Sequence, residues 1–349
     1  MDSSATKEIQ ELNQKIQASQ APTDLKERVL ARLAHLAKLT QSPSFLTEFE
    51  HLANYIEWVL SVPWGKRTTD ILDLPHTKQV LDKNHFGLTE IKDRVLEYVS
   101  VMKLKTEKGE MEDIYRAPIL CFVGLVGTGK TTIATSIAEA MGRKFERIPF
   151  GGMGDPLDLR GRSKMYPEAE PGKVIKAVRS AGCMNPVILL DEVDRVTEEG
   201  RSSIMGVLVE LLDPKQNHAF TDHYVDHPVD LSQVLFIATA NNTTNIATAV
   251  LDRIEVIQMP SYSDNEKIEI GRKYLLPRVV KAAGLPENVL VFDENIWPNI
   301  VRPLGFDAGV RTLERNIEGV VRKVARQLVE GKIHSVRLTS ENIKQYLPQ

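Results

Sequence analysis

Apolar residues recur every three or four positions along the first sixty residues. They form three stripes: Ile9, Leu12 and Ile16; then Leu25, Val29, Leu33 and Leu36; then Phe45, Phe49, Leu52, Ile56 and Leu60. This spacing predicts three amphipathic helices. Pro22 separates the first two. Ser42 and Pro43 suit the start of the third, because serine caps a helix and proline fits its first position.

The middle of the chain changes its pattern, since short apolar runs now alternate with helical stretches. The runs cover residues 118–124, 144–151, 186–194, 234–242 and 253–260. Such alternation predicts a parallel β-sheet with helices on both faces. After Pro260 the pattern is helical again. Ser263 and Glu266 have the spacing of a capping box, and a long apolar stripe runs from Val310 to Leu328.

At 349 residues the chain exceeds the usual size of one domain, and the patterns divide it into three parts. We expect an N-terminal helical segment in residues 1–70, an α/β domain in 71–259 and a small α-helical domain in 260–349. The breaker-rich stretch 61–70 predicts a linker after the first helices.

The composition is that of an ordinary soluble protein, with 42% hydrophobic and 26% charged residues. A net charge of −3 gives no general attraction for nucleic acid or anionic lipid. Only two cysteines occur, Cys121 and Cys183, and their apolar neighbours suit buried thiols rather than a disulfide framework. No apolar run reaches 18 residues and no signal-like start is present, so we expect a cytoplasmic protein without a membrane partner.

The first apolar run leads into a glycine-rich loop that matches G-x-x-x-x-G-K-[ST] from Gly124 to Thr131 and precedes a helical pattern. Glycines allow successive backbone N–H groups to turn toward one phosphate, and the following helix adds its positive end. Lys130 would reach the β- and γ-phosphates of ATP, and the Thr131 hydroxyl would bind Mg²⁺. The alternative is a glycine-rich turn with a surface lysine. The predicted cofactor-binding loop comprises Gly124, Leu125, Val126, Gly127, Thr128, Gly129, Lys130, Thr131 and Thr132.

A second apolar run ends in two acids, Asp191 and Glu192. The carboxyl ends of parallel strands are where ligands bind in open α/β sheets. Asp191 would hold Mg²⁺ through water, and Glu192 would accept a proton from the attacking water as general base. A strand that ends in solvated acids is the alternative interpretation.

Three further polar residues are candidates for the same chemistry. Asn241 ends another apolar run, although an asparagine there is often a turn residue. Arg253 is either a salt-bridged surface arginine or a charge that a neighbouring subunit inserts into the site. Arg311, at the head of the long helical stripe, either reaches the γ-phosphate or makes a helix contact.

Long runs of sequence resemble the ATPase part of a Lon protease, an AAA+ machine. They include "SVPWGK", "HFGLTEIKDRVLEYVSV", "NPVILLDEVD", "HAFTDHYVDHPVDLSQVLFIATAN" and "AGVRTLERNI". The resemblance implies a P-loop NTPase with a five-stranded parallel sheet and a helical lid. It also implies assembly into a homo-hexamer that hydrolyses ATP to unfold proteins for degradation.

The resemblance also assigns roles to individual residues. Asn241 falls on the first sensor, Arg253 on the arginine finger acting in trans and Arg311 on the second sensor. The residues that would run past the adenine are His85, Phe86, Gly87 and Leu88. The segment around Tyr166 and Pro167 falls on the pore loop that grips protein substrates.

The sequence departs from the family at several positions. Leu125 and Val126 replace two prolines, and we expect nucleotide binding to survive because no phosphate contact there needs a side chain. Glu168 and Glu170 make the pore loop acidic, which weakens its expected apolar grip. Gly154 replaces an arginine. The resemblance covers neither a peptidase domain nor the preceding recognition domain, so we expect no proteolysis by this chain alone.

Three functions therefore remain open at this point: an ATP-driven protein-remodelling motor, a nucleotide-gated scaffold that binds partners such as a separate peptidase subunit, and a nucleic-acid motor. The acidic pore loop favours the scaffold. The near-neutral charge disfavours the nucleic-acid motor, although the stretches 320–326 and 330–337 could line a basic face.

Overall fold

The computed structural model describes residues 2–39, 42–43, 45–108, 119–166, 168–286, 288–301 and 309–348, with the side chains of 2–6 left out. The α-helices span Asp2–Ala18, Thr23–Ala37, Phe45–Ser61, Leu74–Asn84, Thr89–Glu107, Lys130–Met141, Leu157–Arg160, Lys173–Ala181, Arg201–Leu211, Thr248–Leu251, Asp264–Ile270, Leu276–Ala282, Trp297–Val301, Arg311–Val329 and Ile343–Tyr346. Short 3-10 turns cover Val193–Arg195, Asn217–Ala219 and Glu294–Ile296.

Nine β-strands lie in the described residues: β1 Ile119–Val123, β2 Phe145–Pro149, β3 Val187–Asp191, β4 Phe220–Asp222, β5 His227–Val229, β6 Leu235–Ala240, β7 Ile254–Gln258, β8 Leu290–Phe292 and β9 Val336–Leu338. Five of them form one sheet in the order β2-β3-β6-β1-β7. Each apolar run in the middle of the chain supplies one of these strands, so the prediction of a five-stranded α/β sheet is confirmed.

Strands β2 and β3 pair in parallel, as do β3 and β6. Every residue of β3 and β6 is buried, as expected for central strands covered on both faces. The β2 to β3 register sets Arg147 opposite Leu189 and Pro149 opposite Asp191. Because alternate residues share a face, Arg147 and Asp191 lie diagonally on the same face of the sheet.

The chain divides into two compact units, neither of which is continuous in sequence. The first unit contains Met1–Leu72, Val101–Cys121 and Met141–Val256, and the second contains Asp73–Ser100, Phe122–Ala140 and Ile257–Gln349. The three domains expected at 1–70, 71–259 and 260–349 stay a prediction.

The three N-terminal helices of the first unit follow the predicted stripes. Ile16, Leu25 and Ile56 are fully buried. The third helix begins at Phe45 and not at Pro43, because the Phe45 N–H donates to the Ser42 carbonyl at 3.1 Å and closes a turn before the helix.

The second unit has its own helical core. The long helix Arg311–Val329 buries Leu313, Ile317 and Val320 from the predicted stripe in this core. The predicted capping box is confirmed, since the Ser263 side chain accepts from the Glu266 N–H and the Glu266 carboxylate accepts from the Ser263 N–H. Among the described residues, no helix is long and apolar enough to cross a membrane.

Candidate nucleotide-binding site

The phosphate loop lies in the second unit between β1 and the helix Lys130–Met141. Gly127 and Gly129 have φ angles of +84° and +97°, a left-handed conformation that glycine adopts without strain. A Cβ at Gly124 would lie 2.8 Å from the Met259 carbonyl oxygen. The Met259 N–H donates to the Val123 carbonyl at 2.7 Å, which holds the two segments together. The glycines of the motif are therefore required both by backbone conformation and by close packing.

Lys130 occupies the inside of this loop. Its side chain is largely buried, and its Nζ donates to the carbonyl oxygens of Gly124 at 2.7 Å and Leu125 at 3.0 Å. The side chains of Leu125 and Val126 are 55% and 41% exposed, so they lie at the surface of the loop. An ammonium held on loop carbonyls can pass to a phosphate oxygen, which is a stronger, charged acceptor.

Arg311 lies beside the loop within the same unit. The Val310 N–H donates to the Gly127 carbonyl at 3.0 Å, and a Cβ on Gly127 would lie 3.2 Å from the Arg311 Cβ. The Tyr262 hydroxyl donates to the Thr128 carbonyl at 3.1 Å, and burial raises the pKa of Tyr262 to about 12, so the phenol stays neutral. The start of the long helix is thus fixed against the glycine loop by backbone contacts.

The segment from His85 to Leu88 packs on the helix that follows the loop. The His85 Nε2 lies 2.9 Å from the Ser136 Oγ, and Gly87 and Leu88 both have positive φ angles. Burial, together with the Lys92 charge, lowers the pKa of His85 to about 4, so this ring is neutral at pH 7. The Lys92 Nζ also donates to the His85 carbonyl at 2.7 Å.

Phe86 lies beside a cation from the same unit, since the Lys273 Nζ is 6.0 Å from its ring centroid. This distance is at the outer limit of a cation–π contact. The adenine contact expected of His85, Phe86, Gly87 and Leu88 stays a prediction.

The two acids lie in the first unit, at the end of β3. The Asp191 carboxylate is buried, and its Oδ2 accepts from the Arg147 Nε at 2.7 Å and pairs with the Arg147 Nη2 at 2.6 Å. Its Oδ1 accepts from the Thr239 hydroxyl. That hydroxyl in turn accepts from the Glu192 N–H at 2.9 Å. One threonine oxygen therefore fixes both neighbouring acids.

Sequence reasoning missed Arg147 and Thr239. Thr239 lies in the predicted strand that ends at Asn241, so its position near a strand end was a usable signal. Arg147 could not be found in this way, because its contact with Asp191 depends on the register between β2 and β3.

Glu192 has a left-handed backbone, with φ 58°. This conformation costs a residue with a side chain about 1–2 kcal/mol, and such strain concentrates at functional sites. The Glu192 carboxylate is about one third exposed and lies 3.8 Å from the Arg195 Nη1. A Cβ on Gly151 would lie 3.2 Å from its Oε2. The carboxylate is thus open to solvent on one side and closely bounded on another.

Asn241 follows β6 in the same unit. Its backbone N–H donates to the Oδ1 of the buried Asp194 at 3.1 Å, and Asp194 follows the two acids by a few residues. The structure therefore brings Asn241 close to the segment that carries Asp191 and Glu192.

Arg253 contacts Asp213 and Ala249, which belong to the same unit. Its Nη2 lies 3.1 Å from the Asp213 Oδ2, and its Nη1 donates to the Ala249 carbonyl at 2.6 Å. In this single chain Arg253 is therefore paired with a carboxylate, and its action on a neighbouring subunit stays a prediction.

The predicted pore loop is strongly exposed in its described part. Met165 is 81% exposed and Tyr166 is 65% exposed, while Pro167 lies outside the described residues. The base of the loop is held by the Lys164 Nζ, which lies 2.8 Å from the Asp226 Oδ2 and 4.5 Å from the Tyr55 ring centroid.

The donor types fit Mg²⁺. Mg²⁺ prefers oxygen ligands and usually keeps several waters, with one or two protein carboxylates. Thr131 in the second unit has a hydroxyl and Asp191 in the first unit has a carboxylate, and each is an oxygen donor of this kind. Within the residues that the structure describes, no group of three or more His, Cys, Asp or Glu could hold a metal by itself.

Two family descriptions match the chain: the ATPase family associated with various cellular activities (AAA) over residues 120–262, and the Lon protease AAA+ ATPase lid domain over residues 281–336. A Lon protease from Halothermothrix orenii is 41% identical over 339 residues, which cover 97% of this chain and 42% of that protein. A Lon protease from Lawsonia intracellularis is 41% identical, covering 98% of this chain and 40% of that protein.

Lon protease 2 from Thermus thermophilus is also 41% identical, over 97% of this chain and 42% of that protein. The chain spans about two fifths of the length of these curated relatives. An AAA domain followed by a Lon-type lid places the chain among the Lon-like AAA+ ATPase modules.

Proposed function

We propose that the chain binds MgATP through the loop 124–132 and hydrolyses it. The observation that carries this proposal is the conformation of the loop. Its left-handed glycines stand at the N-terminus of the helix Lys130–Met141, and the Lys130 ammonium lies on backbone carbonyl oxygens of the same loop. This arrangement supports phosphate recognition, because backbone N–H groups and the positive end of a helix attract an anion.

Each polar residue has a separate role in the proposed reaction. Lys130 binds the β- and γ-phosphates, while Thr131 and Asp191 would hold the metal. Mg²⁺ supplies charge neutralisation of the phosphate oxygens when it is bound. Glu192 accepts a proton from the water that attacks the γ-phosphorus, so that ADP leaves with the former bridging oxygen. Thr239 keeps the Glu192 backbone in position through its hydroxyl.

We further propose that catalysis involves a ring of six identical subunits. Asn241 would orient the attacking water, Arg311 would contact the γ-phosphate and Arg253 would act on a neighbouring subunit's nucleotide. For this last role Arg253 must exchange Asp213 for phosphate, which is a better acceptor for a guanidinium. Native mass measurement in ATP and in ADP tests the ring, and Arg253→Ala should lower turnover while nucleotide binding persists.

Turnover by purified protein tests the hydrolysis step. Glu192→Gln keeps the size of the side chain but removes the base, so ATP should still bind while the rate of phosphate release falls by about a hundredfold or more. Glu199→Gln, on an exposed glutamate of the same unit, is the matched control. Equal rates for wild type and Glu192→Gln would refute hydrolysis at this site.

The work done with ATP is proposed to be the remodelling of protein substrates in the cytoplasm. The exposure of Met165 and Tyr166 supports contact with polypeptide. The acidic Glu168 and Glu170 support the second candidate, a nucleotide-gated scaffold that binds a partner such as a separate peptidase subunit. ATP-dependent loss of fluorescence from a tagged, unfolded substrate separates the two: a loss supports the motor and refutes the scaffold.

A further inference from the structure

The Asp191 carboxylate already has a cationic partner, Arg147. Two guanidinium nitrogens, Nε and Nη2, lie 2.7 and 2.6 Å from the same oxygen, Oδ2. The other oxygen, Oδ1, accepts from Thr239. Both oxygens of the carboxylate proposed to hold Mg²⁺ are therefore in use, one by a neutral donor and one by a cation.

We propose that Arg147 is a positioning residue that holds Asp191 until Mg²⁺ arrives, and that its displacement sets how strongly nucleotide binding depends on the metal. This inference rests on the proposed function, because it takes Asp191 as the metal-holding acid.

Thr239 and Arg147 hold Asp191 in different ways. Thr239 is fully buried and its hydroxyl is fixed, because it donates its one hydrogen to Asp191 and accepts from the Glu192 N–H. Arg147 stands on β2, one of the two edge strands of the sheet, and 53% of its side chain is exposed. Thr239 can therefore keep the carboxylate oriented after Arg147 has moved into solvent.

The charges explain why Arg147 and Mg²⁺ compete. A divalent ion at Asp191 and a guanidinium on the same oxygen repel each other, since like charges a few ångströms apart are costly even when partly solvated. Ion pairs with one exposed partner are weak, so Mg²⁺ can replace this arginine. Without metal, Arg147 offsets the negative charge that Asp191 would otherwise direct at a bound polyphosphate.

The competition makes opposite predictions for the two forms of the ligand. Removing Arg147 should weaken binding of metal-free ADP, because Asp191 is left without its counter-charge. It should strengthen binding of MgADP, because no cation has to be displaced. The ratio of the dissociation constant in EDTA to that in Mg²⁺ should therefore rise, by about two- to fivefold for an exposed ion pair.

The experiment is equilibrium binding of a fluorescent ADP to the full chain, in EDTA and in saturating Mg²⁺. ADP is used so that turnover does not enter. Arg147→Ala and Arg147→Gln should both raise the ratio. Arg195→Ala, which removes a similarly exposed arginine beside Glu192, should leave it unchanged. Arg147→Gln retains most of the side chain's length if the alanine variant folds poorly.

A double-mutant cycle with Asp191→Asn tests whether Arg147 acts through Asp191. In that background Arg147→Ala should no longer change the ratio. An unchanged ratio in the folded single variants, or an equal loss of affinity in EDTA and Mg²⁺, would overturn the inference and leave the proposed function intact. Wild-type protein that binds no ADP would remove the proposed function, and this inference with it.

Discussion

The glycine loop 124–132 and the predicted pore loop around Tyr166 both depart from the Lon pattern, but the departures differ in kind. In the phosphate loop, Leu125 and Val126 stand where the family has prolines, and their side chains lie at the surface. The Lys130 ammonium and the Thr128 hydroxyl bond to backbone carbonyl oxygens of that loop, and not to the side chains of Leu125 and Val126. In the predicted pore loop, the exposed side chains of Met165 and Tyr166 carry the proposed contact with protein. A departure there changes the contact surface itself.

This difference teaches where a changed residue matters. A site built from backbone tolerates new side chains as long as the φ angles are preserved, whereas a site built from side chains does not. Four predictions follow, beginning with the largest expected effect: three test this contrast, and the one at His85 concerns stability.

Lys130→Ala should weaken ATP binding by about a hundredfold, because it removes the one buried ammonium that lies on the loop carbonyls. A titration with fluorescent ATP measures the effect. Lys281→Ala, on an exposed lysine of the same unit, should bind normally. If Lys130→Ala binds within threefold of wild type, the loop is not the phosphate site.

Gly127→Ala should weaken ATP binding by about tenfold, since alanine is strained by roughly 1–2 kcal/mol at a left-handed φ and its Cβ would crowd Arg311. Leu125→Ala and Val126→Ala should change affinity by less than about twofold. Gly182→Ala adds a comparable strain at a helix end in the first unit, where a Cβ would meet nothing within 4 Å. It should lower stability but not affinity. If Gly127→Ala and Leu125→Ala weakened ATP binding equally, the contrast between a site built from backbone and a site built from side chains would be wrong.

His85 should make the protein less stable in mild acid. Burial lowers its pKa to about 4, below the ordinary value of 6.5, so the unfolded chain binds a proton that the folded chain refuses. The stabilisation is complete above pH 6.5 and is lost as the pH falls toward 4. Between pH 7.5 and 5.5 the loss should be about 1 kcal/mol.

Denaturant unfolding at the two pH values measures this loss. His85→Asn should lack it, whereas His51→Asn, which removes an exposed histidine, should retain it. A pH dependence that is identical in wild type and His85→Asn would show that His85 is not the group responsible.

Replacing both Glu168 and Glu170 by alanine should raise ATP-dependent substrate unfolding by about two- to threefold, because apolar segments then meet fewer carboxylates. ATP turnover without substrate should stay within about twofold, since neither residue belongs to the phosphate site. Glu199→Ala is the control. Faster turnover with no change in unfolding would contradict the assignment of this loop.

Much of the fold could be predicted because apolar periodicity reports burial directly. The five sheet strands, the Ser263 capping box and the helix Arg311–Val329 all followed from spacing. The short pair β4 and β5 was missed, since three-residue strands give too little alternation to detect. The π-helical turn Gly271–Leu275 was missed, and its surroundings are tertiary: a Cβ on Gly271 would lie 2.6 Å from the Trp297 ring, which is distant in sequence.

The candidate site could be predicted only as far as residue types and chain order define it. The glycine-lysine loop and the paired acids follow a linear pattern. The partners of Asp191 do not, because Arg147 and Thr239 reach it from the two neighbouring strands. The Asp213 partner of Arg253 is likewise distant in sequence, which is why spacing left two interpretations of that arginine open.

The close surroundings of Gly154 favour glycine at this position, where the Lon family has an arginine. A Cβ there would lie 2.9 Å from the Thr197 hydroxyl oxygen, and a Cβ on Gly200 would lie 2.1 Å from the Gly154 carbonyl oxygen. Reintroducing the family's arginine at 154 therefore requires accommodation at Thr197 and in the adjoining main chain. A chimaera with a Lon protease should therefore exchange the whole stretch 151–200, because an arginine introduced at position 154 alone would meet Thr197 and the main chain around Gly200.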